Sequence, residues 1–307
     1  MARNISLDIL KVFLAILVVL IHLSFLSDKI VVLSQLIING ICRLAVPLFL
    51  IISGYYFVSV NSKQKLFKWV SRLCILYIVW MLIYSFNWVG KFDLKQSLFV
   101  TVFGYFHLWY LIGTLLSGVL LFLVRNKKWM VWAFLVLFLI GFFIQVLVFN
   151  GIVDKGWYNL YLYRNFLFFC LPFMGMGYLI ANKKNANYSP SISLIILSLL
   201  CVIGESYINY RLISTGELVG FDLMLSSTVA CPLIFLYIKN KEVLRNTKDI
   251  ALFSTAIYLV HPIVLNYIYL INLEGLPSFV QKISVFVFIF LLSYMLILLN
   301  KKFKFLL

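Results

Sequence analysis

Three histidines are the residues of this chain best suited to chemistry, because each lies in a long apolar stretch: His22, His107 and His261. Histidine titrates near neutral pH and can accept or deliver a proton, as a general base for a sugar or amino-acid hydroxyl must. His22 is the strongest candidate for this role. It stands alone on an otherwise apolar segment, with Asp8 fourteen residues earlier on a similar face, and no structural role explains it well.

The other two histidines each have a structural alternative. His261 precedes Pro262, so its ring could simply satisfy the backbone carbonyls that the proline frees. His107 begins a His-Leu-Trp-Tyr-Leu run, in which Trp109 and Tyr110 are typical of the aromatic belt at a membrane interface. The sequence leaves both alternatives open.

Other ionisable residues also fall within the apolar stretches, where a charge is costly and usually marks a functional site or a paired core. They are Asp8, Lys11, Arg43, Arg72, Arg164 and Glu205. The structural alternative for Arg43, Arg164 and Glu205 is that they pair with one another and lock helices together.

The composition indicates what kind of scaffold must position these residues. The chain has 307 residues, of which 64% are hydrophobic and 12% charged, whereas a soluble domain is about half apolar and about a quarter charged. A water-soluble protein of this length has no core large enough to bury so much apolar surface. This excludes a cytosolic enzyme, a secreted disulfide scaffold and a disordered chain. The five cysteines, none in a CxxC pair, are expected to be buried free thiols.

Apolar stretches of about 20 residues, the length that crosses a bilayer as a helix, recur along the whole chain. They predict an all-α integral membrane protein, a single bundle of about ten transmembrane helices that forms one domain over residues 1–307. The predicted spans are 6–26, 35–59, 66–89, 107–125, 129–150, 163–182, 191–210, 221–239, 251–271 and 280–300.

Lysine and arginine are distributed unevenly among the connections between these spans. Alternate connections hold sixteen and six of them, and both termini fall in the richer set. By the positive-inside rule, both termini are expected to be cytoplasmic, in a multi-pass protein of the cell membrane. The net charge of +16 therefore reflects topology. No nucleic-acid partner is expected, since nucleic-acid binders cluster their positive residues on one face.

This orientation divides the polar residues within the spans into two groups. Those expected in the outer half of the membrane are His22, Arg43, His107, Arg164 and Glu205, and His261 is expected near the middle. Those expected at the cytoplasmic end are Asp8, Lys11, Lys68 and Arg72. The division suits a protein that handles a charged ligand inside and a polar ligand outside. The sequence has no metal-ligand cluster, HExxH motif, GxSxG motif or phosphate loop, so no metal is expected.

Five motifs follow one another from the first predicted span to the ninth. They are LDILK at 7–11 leading to His22, RLAVPLFLIISGY at 43–55, HLWYL at 107–111, RN at 164–165 leading to PFMGMGY at 172–178, and IYLVHP at 257–262. In combination they resemble the acyltransferase-3 family of integral membrane acyltransferases. The resemblance implies transfer of an acyl group, usually acetyl, from cytoplasmic acyl-CoA to a hydroxyl or amine of an extracytoplasmic glycan or its lipid-linked precursor. It also implies that His22 is the catalytic histidine.

The same resemblance implies roles for the basic and aromatic residues. Those expected to hold the phosphates of acetyl-CoA, for which cationic side chains are suited, are Lys68, Arg72 and Lys11. Those expected to orient the acceptor or polarise the thioester carbonyl are Arg43, His107 and Tyr110. Those expected to contact the acceptor are Arg164, Glu205, Trp109 and His261.

The second, fourth and sixth spans, with Gly204-Glu205-Ser206 in the seventh, also resemble the membrane half of the membrane-bound serine racemases of D-Ala-D-Ser glycopeptide-resistance systems. There the membrane half is associated with supplying serine to a fused racemase domain. Two alternatives to an acyltransferase therefore stay open. One is a carrier for a small polar solute such as L-serine, in which Arg43 binds the carboxylate and Glu205 the ammonium group. The other is an interaction subunit of an envelope-assembly complex.

Overall fold

A computed structural model of the chain describes residues 3–23, 30–153, 158–182, 188–213, 220–241, 243–245, 248–267 and 278–307. The chain divides into two compact units. The first unit consists of Met1–Val46, Ser189–Gly220 and Leu236–Leu307, and the second of Pro47–Tyr188 and Phe221–Phe235. Neither unit is a continuous stretch of sequence, so each depends on contacts between distant parts of the chain. That the two units form a single domain stays a prediction.

Almost all regular structure in the described residues is helical, which confirms the prediction of an all-α membrane protein. The helices are α1 (Ile5–Leu23), α2 (Val31–Ile38), α3 (Ala45–Phe57), α4 (Lys63–Ile83), α5 (Leu94–Phe103), α6 (Trp109–Val124), α7 (Met130–Phe149), α8 (Asn159–Tyr163), α9 (Leu171–Asn182), α10 (Ile192–Ile213), α11 (Ser227–Asn240), α12 (Asp249–Tyr267) and α13 (Ser278–Lys302). Eight helical segments of the described chain are long and apolar enough to cross a membrane. The α2 and α3 helices, with the turn between them, make up one of these segments.

The sixth and eighth predicted spans fall on shorter helices. The sixth begins at Phe166 and not at residue 163, because the Asn165 side chain caps a π-helical turn over Phe166–Cys170 by accepting hydrogen bonds from the backbone N–H groups of Leu167 and Phe168. The eighth is α11, whose 14 residues reach about 21 Å, whereas the hydrocarbon core is about 30 Å thick. Arg164 therefore lies between helices and not within one, which corrects its predicted placement.

The connection between the third and fourth spans contains a helix that the hydropathy pattern does not predict. This helix, α5, begins at a cap in which Asp93 accepts a hydrogen bond of 2.7 Å from the backbone N–H of Gln96. It ends at Gly104, whose φ of 93° suits glycine. The role of Gly104 is therefore to end this helix.

In the first unit, α12 packs against both α1 and α13, and α2 packs against α10. The α1 face that is buried carries Leu7, Leu10 and Leu14, at the three- and four-residue spacing of a helix face. A two-residue antiparallel ladder pairs Arg3–Asn4 with Leu244–Arg245. Three further hydrogen bonds tie Asn4, Ile5 and Ser6 to backbone carbonyls of residues 239–243. The start of α1 is therefore held against the segment that follows α11.

In the second unit, α6 packs against α4 and α9, and α7 packs against α9. The backbones of α3 and α9 approach so closely that a Cβ at Gly54 would lie 1.8 Å from the Met174 carbonyl oxygen. A Cβ at Gly177 would likewise lie 2.0 Å from the Ile51 carbonyl oxygen. Gly54 and Gly177 allow this contact, because small residues let helix backbones approach closely.

The five cysteines are free, as expected. Their predicted burial is right for Cys42, Cys170 and Cys231 and wrong for two others, since Cys74 is half-buried and Cys201 is exposed. Cys74 lies on α4 and Cys201 on α10, and both helices have faces that no other helix of the described chain covers. The apolar sequence around a cysteine therefore predicts a membrane-spanning helix, but it does not predict which face of that helix packs against protein.

Candidate functional site

The predicted site residues are divided between the two units. The first unit holds Lys11, His22, Arg43, Glu205 and His261. The second unit holds Lys68, Arg72, His107, Trp109, Tyr110 and Arg164. Each unit carries its own polar network, and each network involves residues that the sequence analysis did not select.

In the first unit, His22 lies beside His261. His22 is in the last turn of α1, and His261 is in the middle of α12. Their rings are stacked, with centroids 5.4 Å apart and an interplanar angle of 26°. His22 is partly exposed, whereas His261 is fully buried. The sequence separates the two residues by more than 230 positions, so only the packing of α1 on α12 reveals the pair.

His261 is also bonded to its own helix. Its Nδ1 lies 3.2 Å from the carbonyl oxygen of Ile257. Pro262 has no N–H, so the carbonyl that loses its usual donor within the helix is that of Tyr258. This hydrogen bond of His261 therefore goes to a different carbonyl, and the structural alternative for His261 stays a hypothesis beside the stack with His22.

Arg43 ends a ladder of neutral hydrogen-bonding groups. It lies in a 3-10 turn over Ile41–Leu44, and its Nη2 donates to Oδ1 of Asn39 at 3.1 Å. Asn39 donates to Oε1 of Gln35 at 3.2 Å, and Gln35 donates to Oγ of Ser206 on α10 at 3.3 Å. A Cβ at Gly220 would lie 2.0 Å from Nη2 of Arg43, so the guanidinium rests against a residue without a side chain. This ladder fixes the orientation of Arg43.

Two other charged residues of the first unit, Lys11 and Glu205, are partly buried. Lys11 forms an ion pair with the buried carboxylate of Asp8, with Nζ 3.0 Å from Oδ1. The partner lies three positions earlier on α1, so the pair follows from helical spacing alone. Glu205 is half-buried on α10, next to Ser206 of the ladder.

In the second unit, Arg164 pairs with Asp222. Its Nε lies 2.7 Å from Oδ2 of Asp222, and its guanidinium lies 5.5 Å from the centre of the Trp109 ring. The backbone around Asp222 is held by Gln145 of α7, whose amide bonds the N–H groups of Asp222 and Leu223 and the carbonyl of Leu223 at 2.9–3.0 Å. Arg164 therefore has a carboxylate partner, though not the Glu205 that the sequence analysis considered.

His107 and Tyr110 are both packed within the second unit. His107 lies in the 3-10 turn Phe106–Leu108 before α6, is 4% exposed, and contacts Tyr84 edge-on at 5.1 Å. Such burial differs from the position of an interfacial belt residue, which faces lipid headgroups. The hydroxyl of Tyr110 lies 3.4 Å from Oγ of Ser53, which itself donates to the Phe49 carbonyl at 2.9 Å. Because the Ser53 hydroxyl hydrogen is used in this bond, Ser53 Oγ accepts the hydrogen bond that the Tyr110 hydroxyl donates.

A further tyrosine, Tyr161, lies close to Arg164 and donates to the Gly104 carbonyl oxygen at 3.4 Å. Burial raises the pKa of the Tyr161 phenol, and the charge of Arg164 offsets part of this rise.

Lys68 and Arg72 lie four residues apart on α4, so they share a face of that helix. Both side chains are exposed, and Phe67 and Ile75 beside them are exposed as well. The start of α4 is fixed by Ser62, which caps it, and by Arg125, which donates to the carbonyls of Val60 and Asn61 at 2.7 and 3.0 Å. The pair therefore lies on the outer surface of α4. Among the described residues, no group of three or more His, Cys, Asp or Glu side chains is arranged to hold a metal ion.

Comparison with known proteins decides the family. The model of the acyltransferase domain of the acyltransferase-3 family matches residues 4–298, nearly the whole chain. The chain belongs to this family. The expected resemblance is thereby confirmed, and acyl transfer by a membrane protein is the activity that the family domain indicates. No solved structure matches the chain.

One relative of this acyltransferase-3 protein is an amino-acid racemase from Enterococcus faecalis. The two are 25% identical over 345 aligned positions, which cover 97% of this chain and 46% of the racemase. The chain therefore spans about half the length of this relative. The match agrees with the narrower resemblance to the membrane half of serine racemases.

Sequence reasoning missed five residues of the two networks, and the signals available for them differ. Gln35 and Asn39 precede Arg43 at four-residue spacing, so a helix pattern could have identified them. Asp222 lies in the eighth predicted span, where an ionisable residue merits the same attention as the others. Nothing in the sequence selects Gln145 or Ser206, since neither has a local partner.

Proposed function

We propose that this protein is a membrane O-acyltransferase. It transfers an acyl group, in the first instance acetyl, from acyl-CoA to a hydroxyl of a cell-surface polysaccharide or of its lipid-linked precursor. The family domain over residues 4–298 supports acyl transfer. The proposal adds the donor, the acceptor and the base.

His22 is the proposed general base. The observation that carries this proposal is that His22 is the one histidine of the chain with a partly exposed ring, since His107 is 4% and His261 is 0% exposed. A base must reach the proton that it removes. Unprotonated His22 takes the proton of the acceptor hydroxyl, the oxygen attacks the thioester carbonyl, and a C–O bond forms. The C–S bond then breaks, and CoA leaves as the thiol with that proton.

The remaining roles are proposals about individual residues. Lys68 and Arg72 bind CoA phosphates, which their exposure on α4 supports, and Lys11 contributes less net charge because Asp8 neutralises it. The residues that orient the acceptor or polarise the thioester carbonyl are Arg43, His107 and Tyr110. The residues that contact the acceptor are Arg164, Glu205 and Trp109, whereas His261, which the sequence also suggested for this role, is fully buried. Because Asp222 neutralises the charge of Arg164, the guanidinium of Arg164 binds the acceptor mainly through hydrogen bonds.

The location follows from the charge distribution. We infer a cell-membrane protein with both termini on the cytoplasmic side, because alternate connections hold sixteen and six lysines and arginines. Labelling of single cysteines introduced at Lys127 and Lys91 in intact cells tests this orientation. A membrane-impermeant reagent should modify only the cysteine at 91, and the reverse pattern would refute the inference.

Calorimetric titration of the detergent-purified protein with acetyl-CoA tests the donor. Arg72→Ala should weaken binding about tenfold, since a charge-assisted contact is lost. Lys128→Ala is the matched control, because Lys128 is an exposed basic residue in another connection of the richer set, and it should leave the affinity unchanged. A folded protein that does not bind acetyl-CoA would refute the proposed donor.

His22→Asn tests the base. This variant should bind acetyl-CoA like the parent protein but fail to release CoA thiol in the presence of cell-envelope glycan. Release at the parental rate would remove His22 from the mechanism.

A second candidate function is supported by the match to the amino-acid racemase. The protein would carry or bind a small amino acid such as L-serine, with Arg43 at the carboxylate and Glu205 at the ammonium group. The hydrogen-bonded ladder that orients Arg43 supports this role. Titration with L-serine and uptake into vesicles test it. Serine uptake that is lost in Arg43→Ala, without any response to acetyl-CoA, would favour the carrier over the enzyme.

A further inference from the structure

We infer that His261 is a positioning residue for His22: it holds the plane of the His22 imidazole and stabilises its protonated form through ring stacking. This inference rests on the proposed role of His22 as the proton acceptor. It assigns His261 a function within the fold, in place of the contact with the acceptor that was expected from the sequence.

The anchoring of His261 gives the pair its geometry. The His261 ring is fully buried on α12 and is hydrogen-bonded through Nδ1 to the Ile257 carbonyl oxygen at 3.2 Å. It therefore has a fixed position in a rigid helix. His22, in the last turn of α1, has a partly exposed ring that stacks on this fixed surface at 5.4 Å. The buried ring of His261 thus limits the orientations of the partly exposed His22 ring, which is the reactive group.

The hydrogen bond also defines the form of His261. A carbonyl oxygen only accepts, so Nδ1 must carry the hydrogen, and in the neutral ring Nε2 then carries the lone pair. A neutral His261 presents its π face to His22. When His22 accepts a proton, its imidazolium lies against that face, an arrangement that favours the cation.

Few other titratable groups belong to the elements that pack against α1. On α12 they are Asp249 at its first turn, Tyr258, His261 and Tyr267 at its end, and in the 3-10 turn they are Cys42 and Arg43. The α2 helix has none. On α1 itself, Asp8 and Lys11 pair with each other near the opposite end of the helix. A change at His261 therefore alters the ring that touches His22 and leaves these groups in place.

The test is chemical modification of the full-length, detergent-purified protein with diethyl pyrocarbonate, which reacts with unprotonated imidazole. The rate of His22 modification is followed by peptide mass spectrometry over a pH series. His261→Asn keeps an N–H donor for the Ile257 carbonyl but removes the ring. His261→Phe keeps a ring for stacking but removes the donor. His107, in the other unit, is read in the same spectra as an internal reference.

We expect His261→Asn to lower the pH midpoint of His22 modification by about half a unit to one unit, as loss of an aromatic pair predicts. His261→Phe should keep the parental midpoint, and His107 should behave alike in all three proteins. An unchanged midpoint in His261→Asn, or equal shifts in both variants, would refute the inference. If Asn at this position does not yield monodisperse protein, His261→Gln, which also keeps a donor without a ring, replaces it.

The modification experiment needs no acyl transfer, so it separates this inference from the proposed function. A protein that shows the expected shifts but transfers no acyl group would keep the stacking role and lose the enzymatic one. A His22 that stays unmodified at every pH would refute both, because a general base must be accessible.

Discussion

The two polar networks of the molecule are built in different ways. In the first unit, Gln35, Asn39 and Arg43 follow one another at four-residue spacing, and neutral amide and hydroxyl groups link them. In the second unit, Gln145, Arg164 and Asp222 come from distant parts of the chain, and an ion pair is central to the network. The first network is mostly local and neutral, and the second is non-local and charged. Two partly buried arginines are therefore held in place in different ways, Arg43 by a neutral amide and Arg164 by a carboxylate.

Removing the carboxylate of the charged network should have the largest effect. Asp222→Asn leaves the guanidinium of Arg164 in a mostly buried place without its counter-charge, which should cost about 3 kcal/mol in the free energy of unfolding. Thermal unfolding of the purified protein checks this. Asp249→Asn, at an exposed carboxylate, is the control. A loss no larger than that of the control would mean that the ion pair does not stabilise the second unit.

Removing the backbone anchor of the same network should have an intermediate effect. Gln145→Leu deprives the N–H groups of Asp222 and Leu223 and the carbonyl of Leu223 of their partner, which should cost about 2 kcal/mol. Gln64→Leu, at an exposed position on α4, is the matched control. If Gln145→Leu is as stable as this control, the 221–223 segment is held by other contacts.

Breaking the neutral network should have the smallest effect. Ser206→Ala removes a hydroxyl that accepts from Gln35 Nε2 and donates to the Gln35 carbonyl at 3.0 Å, and interhelical hydrogen bonds in membrane proteins are worth about 0.6 kcal/mol. Ser284→Ala is the control, since that exposed hydroxyl bonds only within its own helix, to the Val280 carbonyl. A loss as large as that of Asp222→Asn would erase the distinction between the networks.

Much of the fold could be predicted because hydropathy acts locally. Eight of the ten predicted spans correspond to helical segments long enough to cross a membrane. The predictions differ from the structure where a side chain caps the start of a helix. Asn165 caps the helix of the sixth span, which begins at Phe166, and Asp93 begins a helix in a predicted connection. Such caps depend on one or two hydrogen bonds, which an average over about twenty residues does not detect.

The candidate site was predictable as a set of residues but not as a set of partners. The histidines and arginines within spans were identified because a polar group in lipid is costly. Lys11 and Asp8 pair along one helix, as their spacing implies. The pairing of Arg164 with Asp222 and of His22 with His261 depends on which helices pack together, and no local pattern contains that information.

The sequence by itself determined that this is a helical membrane protein of the acyltransferase-3 family, because apolar length and motif order are properties of the chain. Tertiary structure alone decided that Arg164 is balanced by Asp222, that Arg43 rests on a neutral ladder ending at Ser206, and that the rings of His22 and His261 lie against each other. The physical reason is that hydropathy is set residue by residue, whereas a hydrogen bond or ring contact needs two groups brought within a few ångströms.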